Sequence, residues 1–272
     1  MSDKLRVDLH GAPATMLATL YAKALDADRP DSILHDRYAK DIVERIDYDW
    51  AATTITSRNA PSVALRSAHF DDWARQFLAA HPEAVVLHLG CGLDSRFLRV
   101  QPGPGVDWYD IDYPEVARLR ERFYPARPGH RVVAASVTDP AWLGAIRDDR
   151  PTLMVAEGLT MYLTEDDGIA LLRRIVDRFP VGELHFDAFN WLGIKTQWSN
   201  AVVRRSGATL HWAINSPDDI VTAVPGTRLL HWVPVFELDV FSRIGGGYGL
   251  MAAVLNRIPG VRTMAQFHRY AY

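Results

Sequence analysis

The sequence predicts an α/β fold, a doubly wound and mostly parallel sheet of the Rossmann-like kind. Three observations predict it. Short apolar runs alternate with helical stretches, one run at residues 85–89 breaks into Gly90-Cys91-Gly92, and the next run closes on Asp112. Alternating strand and helix patterns require parallel strands joined by crossover helices.

The first 80 residues are helical by pattern, with amphipathic stretches at 14–25 and 39–46 that are expected to cap the sheet near a ligand crevice. Strands are expected at 85–89, 106–111, 131–135, 153–156 and 183–188, with helices such as 115–123 and 166–179 between them. Two further strands are expected at 228–238 and 261–270. Residues 191–224 carry Trp191, Trp198, His211 and Trp212 among polar residues. They read either as an inserted lid with an aromatic substrate wall or as helix faces packed on the sheet. The expected division is a helical cap over 1–80, continuous with a core over 81–272 that includes the lid.

At 272 residues and 48% hydrophobic content the chain buries one large core, and a net charge of -3 supplies no basic field for nucleic acid. No apolar stretch reaches transmembrane length, and the opening residues 1–8 lack the basic-then-apolar design of a signal peptide, so a cytoplasmic protein without membrane contact is expected. The single cysteine, Cys91, excludes an intrachain disulfide and a multi-cysteine metal site. It reads as a small residue in a tight turn, or else as a reactive thiol.

A strand ending in Gly-x-Gly lets backbone approach a ligand where side chains would collide. An acid about twenty positions on, at the end of the next strand, accepts ribose hydroxyl protons. A nucleoside ligand follows from Gly90, Gly92 and Asp112. The third glycine of the dinucleotide fingerprint is replaced by Ser95, and Asp94 sets a carboxylate near a helix start. That favours a cationic or zwitterionic ligand over a pyrophosphate. Asp110 is expected to point to the opposite face from Asp112. The fourth strand runs into Glu157-Gly158-Leu159, at the edge where doubly wound sheets bind ligands. Glu157 reads as a carboxylate that balances a positive centre, or as a capping or salt-bridged acid.

Four segments together resemble the S-adenosylmethionine-dependent methyltransferases of the leucine carboxyl methyltransferase family: Arg66-Ser67-Ala68-His69-Phe70-Asp71-Asp72, Val86 through Arg96, Tyr109-Asp110-Ile111-Asp112-Tyr113-Pro114-Glu115-Val116, and Ala156-Glu157-Gly158-Leu159-Thr160-Met161-Tyr162-Leu163. The bacterial polyketide-type O-methyltransferase branch is the more similar one. The likeness extends over most of residues 29–190, beginning with Arg29-Pro30-Asp31-Ser32, and thins beyond. It implies a class I methyltransferase fold with a seven-stranded sheet. It further implies that Arg66 pairs with the cofactor's methionine carboxylate and that Gly90, Cys91 and Gly92 run under the cofactor. By the same resemblance Asp112 binds the ribose and Glu157 stands beside the methionine portion. At the adenine the family has an Asp-Leu pair, and Ser136 and Val137 stand there in this chain.

The resemblance implies methyl transfer to a small-molecule oxygen, with a carboxylate preferred over a phenolic hydroxyl and a protein C-terminus as a less favoured acceptor. A carboxylate is already ionised at neutral pH and needs no base, whereas a phenol needs one. His211 and His35 are the candidates for that base, and Tyr21 and Tyr162 for orienting the acceptor oxygen. A nicotinamide-dependent oxidoreductase shares the strand, turn and acid, but Ser95 and the lack of a Tyr-x-x-x-Lys pair weigh against it. Nucleic-acid methylation lacks a basic stripe. A non-catalytic cofactor-binding protein is the remaining alternative.

Overall fold

Near the N-terminus β1 (Leu5–Arg6) and β2 (Ile46–Asp47) pair in parallel as a small separate sheet, which the sequence reading did not anticipate. The main sheet comprises β3 (Val85–Leu89), β4 (Asp107–Asp112), β5 (His130–Ala134), β6 (Thr152–Ala156), β7 (Gly182–Phe189), β8 (Arg228–Pro234) and β9 (Ala265–Ala271). In the computed structural model, which describes residues 4–7, 9, 11–237 and 248–272, these seven strands lie in the order β5-β4-β3-β6-β7-β9-β8. Every neighbouring pair is parallel except those made by β9, which is antiparallel to β7 and to β8. From β3 the chain moves outward to β4 and β5, and β6 then starts the other half on the opposite side of β3. The carboxyl ends of β3 and β6 are therefore the switch point, where a doubly wound sheet opens a crevice.

Helices α1 (Ala12–Ala27), α2 (Arg37–Arg45) and α3 (Ala60–Ala80) precede the sheet. Between its strands lie α4 (Arg96–Val100), α5 (Pro114–Phe123), α6 (Glu165–Arg178), α7 (Trp191–Lys195), α8 (Ala201–Ser206), α9 (Pro217–Ala223), α10 (Tyr248–Leu255) and α11 (Pro259–Arg262). Period-two alternation sends Leu87, Leu89, Ile111, Met154 and Phe186 to a face covered by Leu171, Leu172 and Ile175 of α6. Val86, Trp108, Leu153 and Val155 face Phe70, Trp73 and Phe77 of α3. Each such fully buried side chain contributes about 1.5–3 kcal/mol. No described helix is long and apolar enough to cross a membrane.

Three sequence expectations are corrected. The last strand starts at Ala265, because Pro259 opens the short helix α11 just before it. The strand expected over 228–238 ends at Pro234, which has no N–H for the ladder, and Val235–Glu237 turns as a 3-10 helix. Leu238, like residues 1–3 and 8 of the opening stretch, lies outside the described residues. Asp110 shares its side of β4 with Asp112, since residues two apart in a strand face the same way. What separates them is depth, because Asp110 is buried and Asp112 stands at the strand's end.

The aromatic segment over 191–224 folds as short helices. Trp212 is buried above Gly168, where a Cβ would come within 2.1 Å of its ring. Trp191 and Trp198 are 49% and 70% exposed. Helix α8 braces the N-terminal helices: Gly11 N–H donates to Ser206 O (2.8 Å) and Arg205 Nη1 to Ala52 O (3.0 Å).

Beneath the glycine turn lies a buried ionic centre. Asp110 accepts from His88 Nδ1 and Trp108 Nε1 at 2.9 Å, from Arg120 Nε at 2.8 Å and from His130 Nε2 at 2.5 Å. Arg120 Nη1 in turn donates to the carbonyls of Gly92 (3.0 Å) and Asp94 (2.7 Å), so this ion pair sets the turn's height above the sheet. Burial would raise the Asp110 pKa, but Arg120, His130 and His88 hold it well below the usual carboxylate range. Arg120→Met leaves this anion buried without its guanidinium. A loss of about 3–5 kcal/mol in unfolding free energy is expected in urea titration, and a loss under about 1 kcal/mol would show the pair to be dispensable.

His69 Nε2 and His185 Nδ1 on the α3 side of the sheet, and His268 Nε2 on the α6 side beside Phe186 and Tyr270, are buried with no hydrogen-bond partner among the described residues. Burial depresses their pKa values to about 4, 4 and 3. Histidines of the unfolded chain begin to protonate near pH 6.5, so the folded state binds fewer protons below that value. The unfolding temperature is expected to fall as pH drops from about 6.5 toward 4, and a flat profile across that window in calorimetry would contradict this account.

Candidate functional site

At the switch point a cleft of about 150 Å³ opens between the β3 turn, the ends of β4 and β6, and helix α1. Its floor is backbone. Gly90 and Gly92 adopt φ of +60° and +50°, a region that favours glycine, and a Cβ on either would come within 3.1 Å of Leu159 or Met16. The N–H of Gly92 donates to Asp112 Oδ2 and that of Tyr113 to Oδ1, both at 2.7 Å. Each oxygen keeps a lone pair for a ligand while the backbone fixes the carboxylate's direction. Burial raises the Asp112 pKa against these two bonds. Burial also pushes the Cys91 thiol up, so it stays protonated and unreactive, as the tight-turn reading expected.

Ser95 explains why the fingerprint departs from three glycines. Its Oγ donates to Asp36 Oδ1 at 2.7 Å, and the same Asp36 caps α2 by accepting from Ala39 N–H at 3.1 Å. The neighbouring Asp94 does not present a bare charge, because Lys23 Nζ lies 3.0 Å from Oδ2 and Arg99 Nη1 2.6 Å from Oδ1. Burial would raise the Asp94 pKa, yet Arg99 and Lys23 hold it well below the ordinary range.

Glu157, at the end of β6, is held by three side chains. It accepts from Arg66 Nε at 3.0 Å, from Ser67 Oγ at 2.8 and 3.0 Å, and from Arg96 Nη2. Burial works to protonate it, and Lys23, Arg66 and Arg96 keep it ionised. Arg66 Nη1 donates to Asp187 Oδ2 at 3.0 Å. Its Nη2 makes no hydrogen bond among the described residues, and it lies over Gly158, 3.5 Å from where a Cβ there would sit. His88, the one histidine lining the cleft among the described residues, has both ring nitrogens engaged. Nδ1 bonds Asp110 and Nε2 takes a bond from Arg96 Nη1 at 3.1 Å, so the ring is neutral with its proton on Nδ1. Burial, ahead of the Arg96 charge, lowers its pKa.

Of the residues singled out from sequence, Arg66, Gly90, Cys91, Gly92, Asp112, Glu157 and Tyr162 line this one cleft. Tyr162 lies beside Thr15, and burial raises its phenol pKa. Ser136 and Val137 follow β5 next to Asp112, since Ala135 N–H donates to Asp112 O at 2.9 Å. They stand outside the cleft's lining, with Ser136 Oγ 2.8 Å from Thr138 Oγ1 and Val137 in the core. Tyr21 stacks on Trp50 at 5.2 Å on another side of α1. His35 and His211 are exposed, and neither lines the cleft, nor do Trp191, Trp198 and Trp212.

Sequence reasoning missed Thr15, Thr19 and Lys23 of α1, which face the cleft. Their spacing of four puts them on one polar stripe of an otherwise apolar helix, a signal that was readable. It also missed Asp187, which takes bonds from Arg66 and, at 2.6 Å, from Gly158 N–H. Burial raises the Asp187 pKa, and Arg66 opposes the rise.

A family model described as leucine carboxyl methyltransferase matches residues 14–176. The chain is 38% identical, over 266 residues and 98% of each chain, to the tetracenomycin polyketide synthesis O-methyltransferase TcmP of Streptomyces glaucescens. It is 36% identical over 277 residues to the S-adenosyl-L-methionine-dependent methyltransferase dpfgK of Gibberella zeae, covering 94% of this chain and 92% of that one. Among solved structures, a Thermobifida fusca protein described as a methyltransferase has a TM-score of 0.60 at 17% identity, covering 92% of this chain and 93% of its own. A DUF574 family protein from Streptomyces avermitilis has a TM-score of 0.58 at 14% identity, covering 92% and 96%. The two structures show the fold, and the curated relatives set the cofactor class as S-adenosylmethionine rather than a nicotinamide. The chain belongs to the leucine carboxyl methyltransferase family, and it is an S-adenosylmethionine-dependent methyltransferase.

Proposed function

We propose that this enzyme methylates a carboxylate oxygen on a small, polyketide-type acid. The observation that carries this reading is that, among the described residues lining the cleft, the one carboxylate with open positions is Asp112, which this reading gives to the ribose, and the other candidate bases are engaged. Lys23 is paired with Asp94, Glu157 is held as an anion by Arg66, Ser67 and Arg96, and His88 is held at both nitrogens. A phenol with a pKa near 10 needs such a base at neutral pH, and a carboxylate with a pKa near 4 does not. Likeness to TcmP over 98% of both chains favours a small-molecule acceptor over a protein C-terminus.

The residues fit the cofactor. Backbone at Gly90 and Gly92 leaves room for its approach, Asp112 directs two open lone pairs at a ribose, and Arg66 Nη2 is open to the methionine carboxylate. Cys91 contributes backbone to the same floor. Glu157 acts through Arg66, fixing the fork rather than meeting the ligand with a free oxygen. Ser136 and Val137, beside Asp112, are assigned to the adenine edge. The described residues of 1–80 are assigned to a cap continuous with a core over the described residues of 81–272, and α1 lines the cleft from the cap side.

When bound, S-adenosylmethionine supplies an electrophilic methyl group on a sulfonium. The protein's part is to align and dehydrate: Arg66 and Asp112 hold the two ends of the donor, and Tyr162 offers a hydroxyl to orient the acceptor. Holding two reactants as a near-attack pair supplies roughly 7–11 kcal/mol.

In calorimetric titration S-adenosylmethionine and S-adenosylhomocysteine should bind and NADH should not, with Asp112→Ala weakening both adenosyl ligands at least about ten-fold. Unchanged affinity in that variant would remove Asp112 from the ribose site. In turnover assays aromatic polyketide acids should be esterified, and Tyr162→Phe should raise the acceptor KM with little change in cofactor affinity. Methylation of the matching phenols but not the acids would overturn the carboxylate reading.

A further inference from the structure

We infer that Asp187 is a positioning residue, one that fixes the Arg66 guanidinium so that its remaining donors face the cofactor's carboxylate. Asp187 sits near the end of β7, and its side chain is 7% exposed, against 20% for Arg66. It is absent from the cleft's lining, so its effect on a ligand passes through a neighbour. Its two oxygens hold two different elements. Oδ2 accepts from Arg66 Nη1 on α3 at 3.0 Å, and Oδ1 accepts from Gly158 N–H, in the turn after β6, at 2.6 Å. Its backbone carbonyl accepts from Thr160 Oγ1 at 2.5 Å, which ties the same turn a second time.

The geometry leaves Arg66 one orientation. Glu157 takes Nε and Asp187 takes Nη1, two edges of a planar fork, so the plane of the guanidinium is set before any ligand arrives. Gly158 turns the backbone at φ of +70°, and the guanidinium lies across that turn with Nη2 open. Without Asp187, Nη1 would lose its fixed partner and the fork would pivot about the Nε–Glu157 bond. A side chain as long as arginine regains that rotamer freedom readily.

This inference rests on the assignment of Arg66 to the methionine carboxylate, and the test separates the two. Three variants, Asp187→Asn, Asp187→Glu and Arg66→Ala, are titrated by calorimetry with S-adenosylhomocysteine and with 5′-methylthioadenosine. The second ligand shares the adenosine and thioether but lacks the amino-acid carboxylate. Asp187→Asn is expected to weaken S-adenosylhomocysteine about ten-fold and leave 5′-methylthioadenosine unchanged, with Asp187→Glu recovering part of the loss. Equal weakening of both ligands would mean that Asp187 merely supports the fold, and it would overturn the inference. So would an Asp187→Asn protein that binds both ligands normally while Arg66→Ala loses S-adenosylhomocysteine. An Arg66→Ala protein with unchanged S-adenosylhomocysteine affinity would instead overturn the assignment of Arg66 itself.

Discussion

The ligand crevice depends on keeping Glu157 an anion where burial alone would neutralise it. Stripping water from a carboxylate costs several kcal/mol in a protein interior, and only close cations with good geometry offset that. Here the cations come from different elements, Arg66 from α3 and Arg96 from the start of α4, and the neutral Ser67 hydroxyl of α3 adds a hydrogen bond. Because Arg96 is itself held by Asp71 at 2.8 Å, and Asp71 by Arg99 at 2.7 Å, the requirement spreads. The result is an alternating chain from Asp36 through Arg99, Asp71, Arg96, Glu157 and Arg66 to Asp187. It joins the N-terminal helices to both halves of the sheet across the switch point.

Such a chain is a poor way to gain stability, since well-packed apolar side chains of similar volume often do as well or better. Its use is directional. Apolar packing tolerates small rotations of a side chain, whereas a guanidinium held by carboxylates on two edges has one plane. The Asp110–Arg120 pair does the same work one layer lower. It grips the carbonyls of Gly92 and Asp94 and so orients the N–H of Gly92 toward Asp112. Two buried ionic centres thus aim two groups that line the cleft, Arg66 and Asp112.

How much of this was readable in the chain depends on how local each signal is. Gly90, Gly92 and Asp112 were legible because a strand, a turn that excludes Cβ atoms and an acid at the next strand's end stand in sequence order. The core strands were legible for the same reason, and their ends were less so: Pro234 and Pro259 cut two of them shorter than periodicity implied. The face of α1 was partly legible, since Thr15, Thr19 and Lys23 recur at helical spacing, but amphipathicity does not say which partner a polar stripe meets. Asp187 was not legible at all. Its meaning comes from β6 and β7 being neighbours and from α3 crossing beside them, facts of topology that no local pattern carries. His35 and His211 failed in the opposite sense, as residue types suited to base chemistry that the fold leaves on the surface.

The distribution of polarity within the cleft bears on the chemistry proposed for it. The lining combines the charged groups Lys23, Arg66, Asp94, Asp112 and Glu157 with the apolar side chains of Met16, Leu20, Leu159 and Leu163. When an anionic carboxylate attacks a sulfonium, opposite charges are partly cancelled on the way to the transition state, so bulk water favours the separated reactants. A site for that reaction gains from excluding water around the reacting atoms and from fixing the donor by its distant ends. Base catalysis would ask the reverse, a titratable group with an open position close to the acceptor. Partners already surround His88 and Glu157, so the same ionic chain that aims Arg66 also removes the side chains best placed to act as bases.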